Sequence, residues 1–458
     1  MARRRGARVR TLLVAVALVA AACGNSGSDD SGSSEAEDGD TATDLPEDMG
    51  ASERDTNEPV DAPGVSDTEI RFQSISTITS NPLGTDIGNA YNEGIEAYFA
   101  WRNSEGGIYG RDLVLDRVDD QLGSNAARAE ELVASDGAFG AFVATLLFTG
   151  APVLDEGGVP TFGWGIHAEF SGRRNLFGHN APLCPDCTLP MWPYMAAQAG
   201  ASKVAVLAYN TSDASKRCGQ GLRASFEQFG QEAGDVEVAF YDDNLSFGLP
   251  GGIGPQVADM KANGVDFVTS CLDMNGMKVL ADELDKQGMG DVLMLHPNSY
   301  DADFVAANAD ILEGDLVLTT FAPFETEVDS DLQDQFFEWT ERAGVTVHEL
   351  TMVGWINADL AFTALLAAGP QFDRAAVVDA ARAITNYNAD NLIESIDWSR
   401  QLEDPGTDPG SDPEQCGAAV QVHDGAFVPL TGDEGEPWLC WNADEEGYRE
   451  PEVVGDFR

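Results

Sequence analysis

Residues 203–241 read KVAVLAYNTSDASKRCGQGLRASFEQFGQEAGDVEVAFY, and this stretch decides the fold class. The apolar runs Lys203–Leu207 and Val236–Tyr241 have the length of buried strands. Between them, Gln220–Glu232 carries apolar side chains at helical spacing. A strand, a helix and a second strand in succession predict two parallel strands joined by a right-handed crossover.

The same alternation continues on both sides of this stretch. Further strands are predicted at Ile70–Ile75, Leu113–Val118, Ala138–Ala144, Asp266–Thr269 and Val292–Leu295, and further helices at Asn89–Asn103, Asn125–Ala134, Pro255–Asn263 and Gly276–Gln287. Such alternation predicts an α/β fold with doubly wound parallel sheets. Because about 390 ordered residues exceed one core of this kind, we predict two lobes joined by a hinge.

The predicted lobes exchange chain segments at the hinge. We assign residues 65–182 plus 322–400 to lobe 1, and residues 183–321 plus 401–458 to lobe 2. The crossings are expected near Pro182, Phe321–Phe324 and Trp398–Glu403.

The N-terminus predicts export. Arginines at positions 3, 4, 5, 8 and 10 precede the apolar stretch Leu12–Ala22, which indicates a signal peptide over residues 1–22 that is too short to span a bilayer. The small residues Val19–Ala22 before Cys23 resemble a lipobox, although Ala20 stands where Leu is usual. This resemblance implies lipidation of Cys23 and a lipid-anchored position on the extracytoplasmic face of the cell membrane. The alternative is ordinary cleavage that leaves Cys23 free.

Residues 23–64 are predicted to be a disordered tether. From residue 24 onward they contain thirteen Asp or Glu, one Arg and no aromatic residue, so they cannot bury enough apolar surface to offset chain entropy. A flexible chain of this length spans on the order of 35 Å, which would let the body reach a membrane partner.

The charge of the chain restricts its partners. The formal net charge is −52, and loss of the five signal-peptide arginines makes it about −57. Such a field repels polyanions, so nucleic acid is excluded as a partner. We read the acidity as a solvated surface and expect a monomer.

Six cysteines remain after Cys23, an even number that predicts three disulfides in an oxidising compartment. Six cysteines allow fifteen pairings. Two pairs each lie in one short region, Cys184 with Cys187 and Cys416 with Cys440. Cys218 and Cys271 then remain, and both follow predicted strands that would be neighbours in a parallel sheet.

An ordered series of motifs carries a family resemblance over roughly residues 67–430. Its pieces are Glu69–Thr79, Asn92–Tyr98, Gly106–Arg111, Asp119-Asp120, Ala126–Leu132, Gly157–Pro160, Gly264–Phe267 and Val420–Phe427. The series resembles the type-I periplasmic binding proteins, and among them the Leu/Ile/Val-binding group. The resemblance implies a non-enzymatic receptor that captures a small polar solute between two lobes and delivers it to an ABC importer permease. A ligand-sensing receptor with the same fold is the alternative.

The candidate site follows from a general rule, since ligands of doubly wound sheets bind outside the carboxyl ends of the strands. The residues selected are Ser80, Asn81, Thr145, Thr149, Trp164, Gly165 and His167 in lobe 1, and Tyr209, Asp213, Asp273 and Asn298 in lobe 2. The resemblance implies that Thr145–Thr149 and Gly163–His167 hold a solute carboxylate. Capping of a helix by Thr149, core packing of Trp164 and a hydrogen-bonded structural His167 are the alternatives.

Lobe 2 departs from the family pattern at two positions. Cys218-Gly219 stands where Tyr-Gly is usual, and Asn244–Ala258 contains no acid to bind an ammonium group. Asp273 is the candidate substitute. The solute class therefore stays open among amino acids, amides, peptide-like solutes, aromatic acids and neutral polar molecules.

One enzyme alternative rests on His167-Ala168-Glu169 and Cys184-Pro-Asp-Cys187, which are similar to the zinc deaminase signature H-x-E followed by P-C-x-x-C. Leu183 replaces the proline of that signature, and exported cysteines tend to form disulfides rather than bind zinc. We therefore expect no metal, no cofactor and no enzymatic activity.

Overall fold

The computed structural model describes residues 56–81, 86–180, 188–210, 213–297, 299–400, 416–431, 435, 437–440 and 455. Its first sheet is entirely parallel and has the strand order β2-β1-β3-β4-β5. The strands are β1 (Glu69–Ser76), β2 (Asp112–Asp119), β3 (Gly140–Ala144), β4 (Thr161–Gly163) and β5 (Leu176–Gly178).

The second sheet has the order β12-β11-β10-β9-β8-β6-β7, with β13 paired to β11. Strands β6 to β10 are parallel, and β11 to β13 are antiparallel additions. The strands are β6 (Lys203–Tyr209), β7 (Glu237–Leu245), β8 (Phe267–Cys271), β9 (Leu293–His296), β10 (Leu316–Thr319), β11 (Cys416–His423), β12 (Ala426–Pro429) and β13 (Leu439–Cys440). Two such sheets confirm the predicted fold class.

Helices flank both sheets. They are α1 (Gly88–Ser104), α2 (Asn125–Val133), α3 (Ala151–Glu156), α4 (Met191–Gln198), α5 (Asp213–Gly234), α6 (Gly254–Asn263), α7 (Met274–Lys286), α8 (Ala302–Ala307), α9 (Ala309–Leu312), α10 (Asp331–Ala343), α11 (Glu349–Ala368) and α12 (Arg374–Arg382).

Strand β6 shows why its apolar run is continuous. Val204, Val206 and Ala208 pack on one face of the second sheet with residues of α4 and α5. Ala205 and Leu207 pack on the other face with residues of α6 and α7. A parallel strand with helices on both sides buries every residue, so its sequence does not alternate between apolar and polar.

Helix α11 follows strand β10 of the second sheet in sequence but lies beside the first sheet. It packs against α1, and the contact is so close that a Cβ at Gly94 would lie 1.9 Å from the Thr351 carbonyl oxygen. A Cβ at Gly354 would lie 2.1 Å from the Tyr91 carbonyl oxygen. The two glycines therefore permit backbone-to-backbone packing of the helices.

The length and composition of α11 would also suit a membrane span, with a mean hydropathy of 1.4. In this fold, 83% of its apolar window is buried inside the protein. This burial identifies α11 as the core helix of its lobe.

The chain passes between the two sheets three times, after β5, after β10 and after α12. Phe321–Phe324 directly follows Thr320 after β10, and Trp398 packs against Phe177 of β5 in the first sheet. Pro182 and residues 401–403 are outside the described residues.

The end of the segment predicted as a tether is bound to the body. Arg111 donates a hydrogen bond to the Glu58 carbonyl oxygen at 2.7 Å, and the Gly64 amide donates to the Asp136 carbonyl oxygen at 2.8 Å. Residues 58–64 are therefore hydrogen-bonded to the body, although their composition predicted a tether. The Arg111 guanidinium and a backbone carbonyl group of the body supply the partners of their main chain.

Two of the predicted disulfides are present. Cys218 is bonded to Cys271, and Cys416 is bonded to Cys440. The first joins α5 to the end of β8, and the second joins β11 to β13. Cys184, Cys187 and Cys23 lie outside the described residues.

The contact between α1 and α11 gives a first prediction. Gly94→Ala should lower the free energy of unfolding by about 1–3 kcal/mol, since the added methyl group meets a backbone carbonyl that cannot move without shifting a helix. Chemical denaturation measures the effect. Gly123→Ala is the control, because a Cβ there meets no atom within 4 Å. Equal stability of the two variants would contradict the close packing.

Candidate functional site

The loop after β3 holds Thr145, which is 1% exposed. Its hydroxyl group donates to Oδ2 of the fully buried Asp120 and accepts a hydrogen bond from the Thr77 hydroxyl at 3.3 Å. The amide of Leu147 in turn approaches Thr145 Oγ1 at 3.4 Å. The hydroxyl predicted to hold a solute carboxylate is therefore used within lobe 1.

The loop after β1 is organised by Asp119. Its Oδ1 accepts hydrogen bonds from the amides of Ile78 and Thr79, both at 3.1 Å, and its Oδ2 accepts from the Thr79 hydroxyl. Partial burial raises the pKa of Asp119, but these donors outweigh that effect and hold the pKa below its usual value. Ser80 is exposed with a positive φ of 61°, and Asn81 is half-buried and has its own interaction partner.

Two buried imidazoles occupy the ends of β4 and β5. The Gly165 amide donates to His179 Nδ1 at 3.1 Å, and His179 Nε2 donates to Thr320 Oγ1 at 2.8 Å. His167 Nε2 donates to the Thr145 carbonyl oxygen at 2.7 Å. Burial lowers the pKa of both imidazoles, to about 3 for His179, so both are neutral near pH 7. His167 and the Gly165 amide are therefore both hydrogen-bonded within lobe 1.

Trp164 and Thr149 differ in their exposure. Trp164 is 7% exposed and belongs to the main apolar cluster with Phe142 and Phe162, so the indole is a core residue here. Thr149 is exposed, and the residue at the N-cap of α3 is Gly150. The capping role considered for Thr149 is therefore not observed.

In lobe 2, Tyr209 and Asp273 meet across the ends of β6 and β8. The Tyr209 hydroxyl donates to Asp273 Oδ1 at 2.5 Å, and burial together with this carboxylate raises the pKa of Tyr209. Asp273 is 8% exposed, and its Oδ2 is buried without a hydrogen-bond partner among the described residues. The side chain of Asp213 and the whole of Asn298 are outside what the structure describes.

A second group of polar residues lies beyond β9 and β10, and sequence reasoning did not select it. The Tyr300 hydroxyl donates to Glu325 Oε2 and accepts from the Phe324 amide, each at 2.6 Å. Burial raises the pKa of Glu325. Tyr300 lies four residues after the end of β9 at His296, so the strand-end rule points to its position. The rule does not indicate that Glu325 is its partner.

An ion pair joins the lobes at the same edge. Asp301 Oδ2 lies 3.5 Å from His348 Nδ1, and Asp301 caps α8 of the second lobe while His348 precedes α11 of the first. The hydrogen bond with Asp301 raises the pKa of His348, and the same contact lowers the pKa of Asp301. Beside them, burial and repulsion by Asp301 raise the pKa of Glu349 to about 8. No local sequence signal marks His348 or Glu349.

The edge of each sheet that faces the other lobe is thereby defined. His179 follows β5 and contacts Thr320, which follows β10. Asp301 follows β9 and contacts His348. The first contact joins residues that follow strands in both lobes, and the second joins a residue that follows β9 to the N-terminus of α11. The candidate cleft is assigned to the region between these edges.

A family model described as periplasmic binding protein matches residues 75–426. The chain belongs to the periplasmic binding protein family. This membership accounts for the two-sheet architecture and confirms the resemblance drawn from the sequence motifs. No curated protein sequence matches the chain.

Solved structures share the fold at low identity. A fatty acid ABC transporter substrate-binding protein from Thermomonospora curvata is 16% identical with a TM-score of 0.64, and the match covers 86% of this chain and 97% of that one. A leucine binding protein from Thermotoga maritima is 16% identical with a TM-score of 0.61, covering 79% and 97%. A solute binding protein from R. palustris in complex with benzoate is 15% identical with a TM-score of 0.61, covering 82% and 98%. Their different ligands leave the solute of this periplasmic binding protein open.

The Asp301–His348 pair predicts a pH dependence. His348 is surrounded by Asp86, Asp301 and Asp303, with Glu93 and Glu349 nearby. A raised histidine pKa gives stability that is full below the ordinary value of 6.5 and is lost as pH rises through the raised value. A lowered aspartate pKa gives stability that is present above the ordinary 3.8 and is lost as pH falls through the lowered value.

We therefore expect His348→Gln to lower the Tm most between about pH 4 and 6.5, and to have little effect at about pH 9. Thermal melts of both proteins across this range measure the difference. Asp301→Asn should give the same profile, and the double variant should add little to either single one. A Tm difference that is constant with pH would refute the ion pair.

Proposed function

We propose that this protein is the solute receptor of an ABC importer and is held on the extracytoplasmic face of the membrane by a lipid on Cys23. Family membership supports a solute-binding role. The similar solved structures include ABC transporter substrate-binding proteins, which supports an importer as the partner. The observation that carries the proposal is Asp273, a buried carboxylate that follows β8 of lobe 2 and has one oxygen without a hydrogen-bond partner among the described residues.

The proposed mechanism is lobe closure around the solute. A ligand shifts an open-to-closed equilibrium only by its greater affinity for the closed form, so it must contact both lobes. The three crossing segments provide the hinge, and the Asp301–His348 pair provides a contact that closure forms or strengthens. The permease would then recognise the closed form.

A ligand-sensing receptor remains the second candidate, since it requires the same cleft and differs only in its membrane partner. The zinc deaminase alternative finds no support in the described residues of its signature. His167 Nε2 is bonded to the Thr145 carbonyl oxygen, and Cys184 and Cys187 are outside those residues. The one potential metal cluster among the described residues is Glu394 with Cys416 and Cys440, whose sulfurs form a disulfide.

The first test is binding without turnover. We expect one member of a panel of amino acids, amides, ureas, aromatic acids, amines and sugars to raise the Tm as its concentration increases, because a ligand bound only by the native state stabilises it. Calorimetry should give one site per chain, and NMR of the solute should show no chemical change after prolonged incubation. Chemical conversion of the solute would refute the receptor function.

The second test separates importer from sensor. Deletion of the gene in its own organism should abolish uptake of the identified solute, and the wild-type gene should restore it. Normal uptake together with a lost behavioural or transcriptional response to the solute would favour the sensor instead.

The anchor gives a further prediction. Cys23→Ala should abolish incorporation of labelled fatty acid and move the protein from the membrane fraction to the soluble fraction, since one residue carries the proposed acyl chains. Asn25→Ala is the control and should leave both measurements unchanged. Continued labelling of the Cys23→Ala protein would contradict lipidation at this residue.

A further inference from the structure

The residues that precede strand β1 make a specific contact with lobe 1. Residues 57–65, here called the strap, lie before the region that the family model matches, which begins at residue 75. Arg111 is 2% exposed and donates to the carbonyl oxygens of Glu58 and Ser66, each at 2.7 Å. Because a buried guanidinium without its acceptors is costly, Arg111 binds the chain at both ends of the strap.

A tight turn directs the strap into β1. In Ala62-Pro63-Gly64-Val65, the Val65 amide donates to the Ala62 carbonyl oxygen at 3.2 Å, and Gly64 has a φ of 69°. Proline at the second position and glycine at the third are typical of a type II turn. A Cβ at Gly64 would lie 2.2 Å from the backbone nitrogen of Phe139, so the turn is in close contact with the backbone of lobe 1. The strap is therefore fitted to its contact, unlike a free linker.

The strap lies at the amino ends of the strands of the first sheet, an edge here called the base of lobe 1. Arg111 precedes β2, and Asp136, whose carbonyl oxygen accepts from the Gly64 amide at 2.8 Å, precedes β3. Val65 pairs with Ile70 of β1 in an antiparallel bridge. The candidate cleft is assigned to the carboxyl ends, so the length of β1, about 25 Å for its eight residues, separates the strap from the cleft. Each of these partners of the strap belongs to lobe 1.

The anchored end of the chain thus reaches the body on the side away from the cleft. Residues 24–56 remain as the predicted tether, and a flexible chain of that length spans about 30 Å on average. This span is close to the length of β1. A much shorter tether would therefore hold the cleft away from the membrane.

We propose that the strap joins the lipid anchor to the base of lobe 1 alone, so that lobe 1 is held at the membrane and lobe 2 is the lobe that moves on closure. This inference rests on the proposed function, because it requires the lipid on Cys23. Since the anchor acts on neither lobe 2 nor the three crossing segments, tension on the tether does not oppose closure. The length of the tether then determines whether the cleft can reach a membrane partner.

Hydrogen exchange followed by mass spectrometry tests the strap in the full chain. The amides of Gly64, Val65 and Ser66 donate hydrogen bonds, and they should exchange about 10-fold or more slowly than the amides of residues 26–55. Gly64→Ala should remove this protection, because its methyl group meets the backbone of lobe 1. Gly172→Ala is the control, since it has a similar φ of 70° at a turn where a Cβ meets no atom within 4 Å.

The position of the anchor is tested on liposomes whose lipid head groups carry nitroxide quenchers, with the lipidated protein bound and residues 26–55 deleted. A fluorescent dye is attached to the cysteine of Ser135→Cys, before β3, or of Thr149→Cys, after β3, and both positions are exposed. We expect quenching at position 135 and its loss at position 149, because the shortened anchor keeps the base of lobe 1 at the membrane. With the full tether, both positions should be quenched.

Release of the strap should change this result in a defined direction. In the protein without residues 26–55, Gly64→Ala should restore part of the quenching at position 149, because the nine residues of the strap are added to the free chain. Gly172→Ala should leave the difference between the two dye positions unchanged.

Two results would overturn the inference. Equal exchange of the strap and tether amides in the unmodified protein would show that the strap is not bound, whether or not the Gly64→Ala protein folds. Equal quenching at positions 135 and 149 in the protein without residues 26–55 would reject lobe 1 as the held lobe. Absence of lipid on Cys23 would instead reject the anchor of the proposed function, and with it the held lobe, whereas the exchange result for the strap would stand on its own.

Discussion

The close packing of α1 against α11 is the contact on which the arrangement of this protein depends. Gly94 and Gly354 let the two helix backbones touch, and Tyr91 extends the contact by donating to the Phe162 carbonyl oxygen of β4 and accepting from Asn357 of α11. Because α11 is bound to the first sheet, the chain must leave the second sheet after β10 and return to it at β11. The passage of the chain from the second sheet to the first and back follows from this one interface.

The packing of α11 on α1 also places charged groups at the candidate cleft. The N-terminus of α11 brings His348 and Glu349 opposite Asp301 of the second lobe. Neither residue lies on a strand end of its own sheet, so they reach the cleft only because the helix is fixed by its packing on α1. Packing far from the cleft thus determines the electrostatics within it.

Local pattern was enough to predict much of the fold. Strands β1, β2, β3 and β6 and helices α1, α2 and α5 could be predicted. The signal is strongest in β3 and β6, because a strand covered on both faces is apolar at nearly every position, whereas only Leu113 of β2 is buried. Strands β4 and β5 have three residues each, too few for a periodic signal, and helix α11 is apolar on all sides, so its sequence lacks the amphipathic pattern. The Cys218–Cys271 and Cys416–Cys440 bonds could be predicted from spacing and from the order of the strands.

Candidate residues of the cleft are hard to predict from sequence, because the strand-end rule gives positions and says nothing of the hydrogen-bond partners of each residue. Thr145, Gly165 and His167 lie at the predicted edge, yet each is engaged within lobe 1, by Asp120, His179 and the Thr145 carbonyl oxygen respectively. Tyr209 and Asp273 were also selected, and they form a pair that leaves one acceptor unused.

A strand-end residue can contribute to solute binding only if its hydrogen-bonding capacity is not already consumed by the fold. By that criterion Thr145, Gly165 and His167 serve to hold the loops of lobe 1, whereas Thr149 is exposed and Asp273 of lobe 2 keeps one oxygen without a partner among the described residues. The acidic composition of the chain gives no comparable criterion, because exposed carboxylates act mainly on solubility and on long-range encounter, whereas the solute is selected by the groups that it contacts.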